Sequence, residues 1–205
     1  MTQTYAYIYE DISLPSDFTI PGTVTIMKQI FRSCDITKLP DTFVIPDGVT
    51  DLSEAFKASN ITNAPIIPNG VTNLKETFAS CADLKTYIGS TDPDGDFSNY
   101  IIPNTAENLY EMFYTCRSIT KAPTLPAAAK DATLMFYGCS YITSVVIPET
   151  VTNIDYGLFR SCQSLTNITF KGTTEQWNAI TKGNDWRQNV PATYVQCSDG
   201  QVALS

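Results

Sequence analysis

The sequence predicts an α/β repeat solenoid, a stack of short parallel strands on one side with short helices or helical turns opposite, and three observations predict it. An apolar-Pro pair followed by Phe recurs six times, as Ile20-Pro21 with Phe31, Ile45-Pro46 with Phe56, Ile67-Pro68 with Phe78, Ile102-Pro103 with Phe113, Leu125-Pro126 with Phe136 and Ile147-Pro148 with Phe159. Before several of these Phe residues stands a Leu at i−4 (Leu52/Phe56, Leu74/Phe78, Leu109/Phe113), the spacing of one helical face. After the Phe comes an apolar-Thr-x-apolar segment rich in Val, Ile and Thr that ends at Pro, the signature of a short strand.

The Pro-to-Phe offset is 10 residues in five copies and 11 in the last, and successive prolines lie 25, 22, 35, 23 and 22 residues apart. The unit is therefore about 22 to 25 residues long, with one insertion in the third copy. A lone unit of this size buries too few apolar side chains to offset its ordering entropy, so the units must stack and share a continuous core. Three parts follow: residues 1–17 as an N-terminal cap strand, residues 18–170 as the repeats with an insertion at 89–99, and residues 171–205 as a C-terminal cap.

Tyr5, Tyr7 and Tyr9 alternate with Ala6 and Ile8, a period-two strand signal with one aromatic face. Two readings are open: a strand covering the end of the stack, or a surface for a partner or sugar. On the helical segments Glu54, Lys75, Glu76 and Glu111 fall on the solvent side. Ile142 to Pro148 and Leu165 to Phe170 are the clearest strand copies. Within the strands Thr37, Thr62, Thr120, Thr143 and Thr166 form a column broken by Lys85, and this column is expected to hydrogen-bond along the ladder.

Six cysteines suggest a disulfide framework or a metal site until register is considered. Cys34, Cys81, Cys116, Cys139 and Cys162 each follow the repeat Phe by three residues, with Ser59 in the same slot of the second unit. One small, weakly polar residue per rung is the mark of a column of buried free thiols.

The insertion holds Asp92, Asp94 and Asp96 at alternate positions. Gly95 and Pro103 do not sit where an EF-hand needs its Gly and bidentate Glu, so a solvated Pro-Asp-Gly turn is the expectation and a calcium loop the alternative. Past the repeats, Thr173 and Gln176 stand at capping-box spacing and open a short helix through Ile180. Trp177 and Trp186 are read as sealing the last rung, with a sugar platform as the alternative, and a terminal hairpin turns at Ser198 to Gly200.

The segments MFYTCRSITKAPTLP (112–126), MFYGCSYITSVVIP (135–148) and LFRSCQSLTNITF (158–170), followed by KGTTEQWNAI and KGNDW, resemble the BspA-like leucine-rich repeats of bacterial surface proteins over roughly residues 18 to 190. The resemblance implies a leucine-rich repeat solenoid with a parallel sheet on its concave side. It places Lys38, Asn63, Thr86, Lys121, Ser144 and Asn167 near or on that sheet as a polar strip. With Tyr5, Tyr7 and Tyr9, these are the candidate binding residues. Departures are Ser59 in place of Cys, the insertion, and the alanine run Ala127 to Ala129.

Composition narrows the function. The chain contains no histidine, which removes Ser-His-Asp and Cys-His systems, imidazole bases and His-ligated zinc. A net charge of −8 argues against nucleic acid as partner. No apolar run approaches a membrane span, and MTQTYAYIYE lacks the basic start and apolar stretch of a secretory signal. No metal or cofactor is expected. The expectation is a non-catalytic binding or adhesion module facing a protein or glycan; the alternative is a structural subunit of a cell-surface or virion assembly, and a carboxylate-dependent hydrolase ranks last. The resemblance points to an extracellular or cell-surface location.

Overall fold

The computed structural model describes residues 14–204. Its regular elements are β1 (Asn63–Ala64), β2 (Thr86–Tyr87), β3 (Ser144–Ile147), β4 (Asn153–Ile154), β5 (Asn167–Phe170), α1 (Thr174–Ala179), β6 (Thr181–Lys182), β7 (Tyr194–Cys197) and β8 (Gly200–Ala203). Among the described residues no helix is long and apolar enough to cross a membrane.

The rungs stack through three tracks, of which the first is the segment that the i,i+4 spacing predicts as helix. It is not helical. In the second rung the N–H groups of Leu52, Glu54, Phe56 and Ala58 donate to the carbonyls of Asn73, Lys75, Thr77 and Ala79 in the next rung, at 2.8 to 2.9 Å. The intervening Ala55, Lys57 and Ser59 close turns onto Leu52, Glu54 and Phe56. Every fourth residue sits in the left-handed region, as Glu54 and Ala58, Glu76 and Ser80, and Glu111 and Thr115 show. Each such non-glycine residue costs about 1–2 kcal/mol, so a helix would be cheaper for one rung alone. The neighbouring rung supplies carbonyls at ladder spacing, and the lateral bonds offset that cost. The ribbon still turns Leu52 and Phe56 inward, which is why the spacing mimics a helical face.

An Asx column starts this ribbon. The carboxyl or amide oxygens of Asp51, Asn73, Asn108 and Asp131 accept the backbone N–H two residues on, at 2.7, 3.2, 3.1 and 3.0 Å. The same residues bridge in parallel from rung to rung, beginning at Ile26. This second track is taken up later in the chain by β4 pairing with β6.

The third track carries the predicted strands. β1 pairs with β2 in parallel, Asp96 bridges Lys121, Lys121 bridges Ser144, and β3, β5 and β7 continue in parallel until β8 closes the sheet antiparallel. The Thr column bonds along it: Thr62 Oγ1 donates to the Thr37 carbonyl at 2.9 Å and Thr143 Oγ1 to that of Thr120 at 3.1 Å.

The core lies between the tracks. Phe31, Phe56, Phe78, Phe113, Phe136 and Phe159 stack with successive ring centroids 5.4, 5.6, 5.5, 5.7 and 5.7 Å apart. Each pair adds about 0.5–1.5 kcal/mol beyond its burial. Phe18 and Phe43 meet the first ring, and Trp186, itself packed on Trp177, meets the last. Thr173 caps α1 through the predicted box with Gln176.

The insertion departs from expectation. Asp94 donates its N–H to Asp92 Oδ1 at 2.7 Å in an exposed turn, but Phe97 and Tyr100 are buried, and Tyr100 Oη donates to the Pro65 carbonyl at 2.8 Å. Thr120 donates its N–H to the Gly95 carbonyl at 2.7 Å. Residues 95–100 thus add a partial rung rather than a solvated loop. Gly95, at φ 81°, makes it possible, since a Cβ there would lie 2.1 Å from the Ser118 carbonyl oxygen.

Candidate functional site

Along the third track alternate side chains face out, as the alternating burial of β3 and β5 shows. Ser144 pairs with Asn167, and Lys121 bridges Ser144, so these three predicted residues share one line. Asn167 and Lys121 are exposed, and Ser144 is half-buried. Thr86 is half-buried on β2, its Oγ1 donating to the Asp92 carbonyl at 3.2 Å. Lys38 is exposed, 3.9 Å from the carboxylate of Asp41.

Asn63 is a correction. It is 2% exposed, and its amide accepts the Leu39 N–H at 2.8 Å and donates to the Leu39 carbonyl at 2.9 Å. The reason is local. Leu39 precedes Pro40 and Ala64 precedes Pro65, and a proline has no N–H for the ladder, so the Asn63 side chain stands in for the interrupted backbone pairing. Tyr5, Tyr7 and Tyr9 lie outside the described residues.

One residue outside the expected strip belongs to it. Asp96 bridges Lys121, and its carboxylate pairs with the Lys121 ammonium at 2.5 Å while accepting the Ser98 N–H at 2.8 Å. Desolvation opposes ionisation of Asp96, but the Lys121 and Ser98 hydrogen bonds outweigh it and hold the carboxyl below the ordinary range; the Asp96 hydrogen bond raises Lys121. The signal was the 25-residue separation of the two, which is one repeat length. Tyr87 and Asp41 line a groove of about 470 Å³ with Lys38, Asn63, Thr86 and Ser90.

The ribbon face carries a different chemistry. Arg32 pairs with Glu54 and Lys57 with Glu76 across consecutive rungs, so Glu76, expected on the solvent side, is buried. Tyr114 stacks on Tyr137 at 4.8 Å, and Arg160 lies 5.9 Å above the Tyr137 ring.

The thiol column is as the register predicts, except that Cys34 is only half-buried. Cys81, Cys116, Cys139 and Cys162 point their Sγ at the carbonyls of Phe56, Phe78, Phe113 and Phe136 in the preceding rung, at 3.0 to 3.1 Å. Burial pushes Cys81 up to about 11, Cys162 up to about 12, and Cys116 and Cys139 well above the ordinary value of 9.0. Cys34 and Cys197 are raised as well, first by burial and then by Asp35 and Asp199. Desolvation thus favours the protonated form of these thiols over the nucleophilic thiolate. The carboxylates of Asp92 and Asp96 serve as acceptors for nearby N–H groups, and among the described residues no group of three His, Cys, Asp or Glu side chains gathers to hold a metal.

The chain matches a known repeat family over most of its length. The BspA type leucine rich repeat region matches in six copies over residues 2–92 and 95–181. No curated protein matches the chain. Among solved structures, the chain is similar to a leucine rich cell surface protein from Faecalibacterium prausnitzii, at 20% identity and a TM-score of 0.32, covering 80% of this chain and 62% of that one. It is also similar to a leucine-rich repeat protein from Bacteroides ovatus, at 15% identity and a TM-score of 0.35, covering 83% and 63%. The chain thus spans less than two thirds of either protein.

Proposed function

The chain belongs to the BspA-type leucine-rich repeat family, and from that premise we propose that it is a non-catalytic surface module that binds a protein or glycan partner along the third track. The observation that carries the reading is the continuous parallel register Asp96, Lys121, Ser144 and Asn167, which holds side chains in line on the outer face of a sheet. Backbone already ordered by a ladder loses little entropy on association, so modest polar contacts are enough for recognition. The chemistry supports binding over turnover: the sequence has no histidine, and burial raises the thiols of Cys81 and Cys162. A location at the cell surface is part of the same proposal and comes from the family.

The test is capture of a partner from extract of the source organism by the purified chain and by Ser144→Arg and Thr120→Arg variants, with circular dichroism and melting as controls. A discrete partner retained by the parent chain and lost by the folded variants supports the reading. A stable homo-oligomer by light scattering, unaffected by either variant, replaces it with a structural subunit.

A further inference from the structure

We infer that Val44, Ile66 and Ile101 form an apolar ridge that anchors a protein partner through a segment carrying apolar side chains next to Lys or Arg. This deepens the binding reading above and rests on it, since it selects polypeptide over glycan on the same side of the repeats.

The three side chains are 68%, 64% and 76% exposed, while Ile45, Ile67 and Ile102, which follow them, are buried. Each stands two residues before its repeat Pro. The rungs that carry them are neighbours. A Cβ on Gly70 would lie 3.7 Å from the Asp47 carbonyl oxygen, and the Gly70 N–H donates to Thr105 Oγ1 at 3.2 Å. Tyr100 Oη, reaching the Pro65 carbonyl at 2.8 Å, ties the residues just before Ile101 and Ile66. The same column continues to Val146, which faces out of β3 together with Ser144.

The fold does not require apolar side chains here. Thr19 and Thr124 hold the same position before their prolines and are exposed, and Thr169 pairs with Val146. Thr has the β-branched shape and strand preference of Val without its apolar surface. Aliphatic side chains gathered on neighbouring rungs and rimmed by polar residues therefore mark a contact with another macromolecule.

Chemistry selects the occupant. Aliphatic groups offer sugar hydroxyls no hydrogen bond and lack the ring quadrupole of an aromatic platform, so a glycan laid on them would leave hydroxyls unpaired. Asp17, Asp41 and Asp47 are exposed at the Val44 end, and Lys38, 3.9 Å from Asp41, offsets one of these charges. A second copy would set this acidic end against its like, in a chain of net charge −8. The same charge repels an anionic membrane surface. What fits is a polypeptide whose Lys or Arg meets the acidic end while its apolar side chains cover Ile66 and Ile101.

The experiment pans a random dodecapeptide library displayed on phage against the immobilised parent chain, an Ile66→Thr/Ile101→Thr double variant and Asp47→Lys, with light scattering of each protein. Thr at the equivalent positions 19 and 124 shows that the double variant suits the fold, and circular dichroism checks it. The expected result is enrichment on the parent chain of sequences joining Lys or Arg to Val, Ile, Leu or Phe. Recovery should fall at least about tenfold on the double variant, and basic residues should become less frequent in selections on Asp47→Lys. No enrichment, enrichment of acidic peptides, or equal recovery on the double variant overturns the inference. A homodimer of the parent chain that is lost in the double variant also overturns it, by making the occupant a second copy. Partner capture from extract lost in Ser144→Arg but kept in the double variant leaves the binding module standing and removes the ridge.

Discussion

The turn ribbon and the strand track are built from the same repeats, yet one is nearly continuous and the other is broken. In the ribbon, the alternating N–H to carbonyl bonds recur from Met27 donating to Asp51 through Ser161 donating to Gln188. In the track, among the described residues, four-residue parallel pairing appears only between β3 and β5, while the earlier rungs offer two-residue strands and isolated bridges. The difference is one of length. From Pro to Phe to Cys the spacing is nearly constant, whereas Thr37 to Pro46 spans nine residues, Thr62 to Pro68 and Thr120 to Pro126 six, and Thr143 to Pro148 five. Pro40, Pro65 and Pro123 also sit three residues after the column Thr, where each removes a ladder donor. Constant length yields a continuous ladder, and variable length yields the irregular surface on which the groove lies.

Alkaline titration should break the regular side hardest. Burial favours the protonated thiols of the folded chain, so their contribution is fully present below the ordinary value near 9.0 and is lost as pH climbs toward the folded values of about 11 and 12. Each of the four deeply buried thiols then removes about 1.4 kcal/mol per pH unit. Denaturant melts at pH 7 to 11 should show the slope, and Cys139→Ser should reduce it by roughly a quarter. A flat stability profile across pH 9 to 11 contradicts the buried column.

Phe136→Ala removes the ring between Phe113 and Phe159 and should cost about 3–5 kcal/mol. A loss under about 1 kcal/mol in chemical denaturation would mean that the stack does not bear on stability.

On the irregular side, Gly95→Ala drives a methyl into the Ser118 carbonyl at a positive φ and should cost about 2–3 kcal/mol. Hydrogen exchange at Thr120 and Phe97 should accelerate with it. Unchanged exchange would mean that residues 95–100 are not a rung.

The smallest effect sharpens the account of the ribbon. Ala58 is exposed at φ 56°, so Ala58→Gly should stabilise by about 1 kcal/mol, the reverse of its effect in a helix. Destabilisation by that substitution would reinstate the helical reading.

Much of this was legible beforehand because it is carried by register. The Phe stack, the thiol column, β3, β5 and the Thr173–Gln176 box each depend on residue types at fixed separations. The ribbon was misread because its four-residue recurrence of inward side chains coincides with that of a helix, and only the bonding pattern tells them apart. Asn63 was misplaced because its neighbour Leu39 lies 24 residues away, across a strand shortened by proline. Asp96 was read as part of a turn because the insertion hid that it stands one repeat before Lys121.

The amino-acid order alone determined that this chain stacks and that its Phe and Cys columns face the core, because periodicity and burial are properties of spacing. Whether a backbone N–H bonds within its own rung or to the next was decided only by the stacked structure, as was the meeting of Lys38 and Asp41 with Tyr87 in one groove. Those outcomes depend on what the neighbouring rung presents at a distance of a few ångströms, which no single repeat contains.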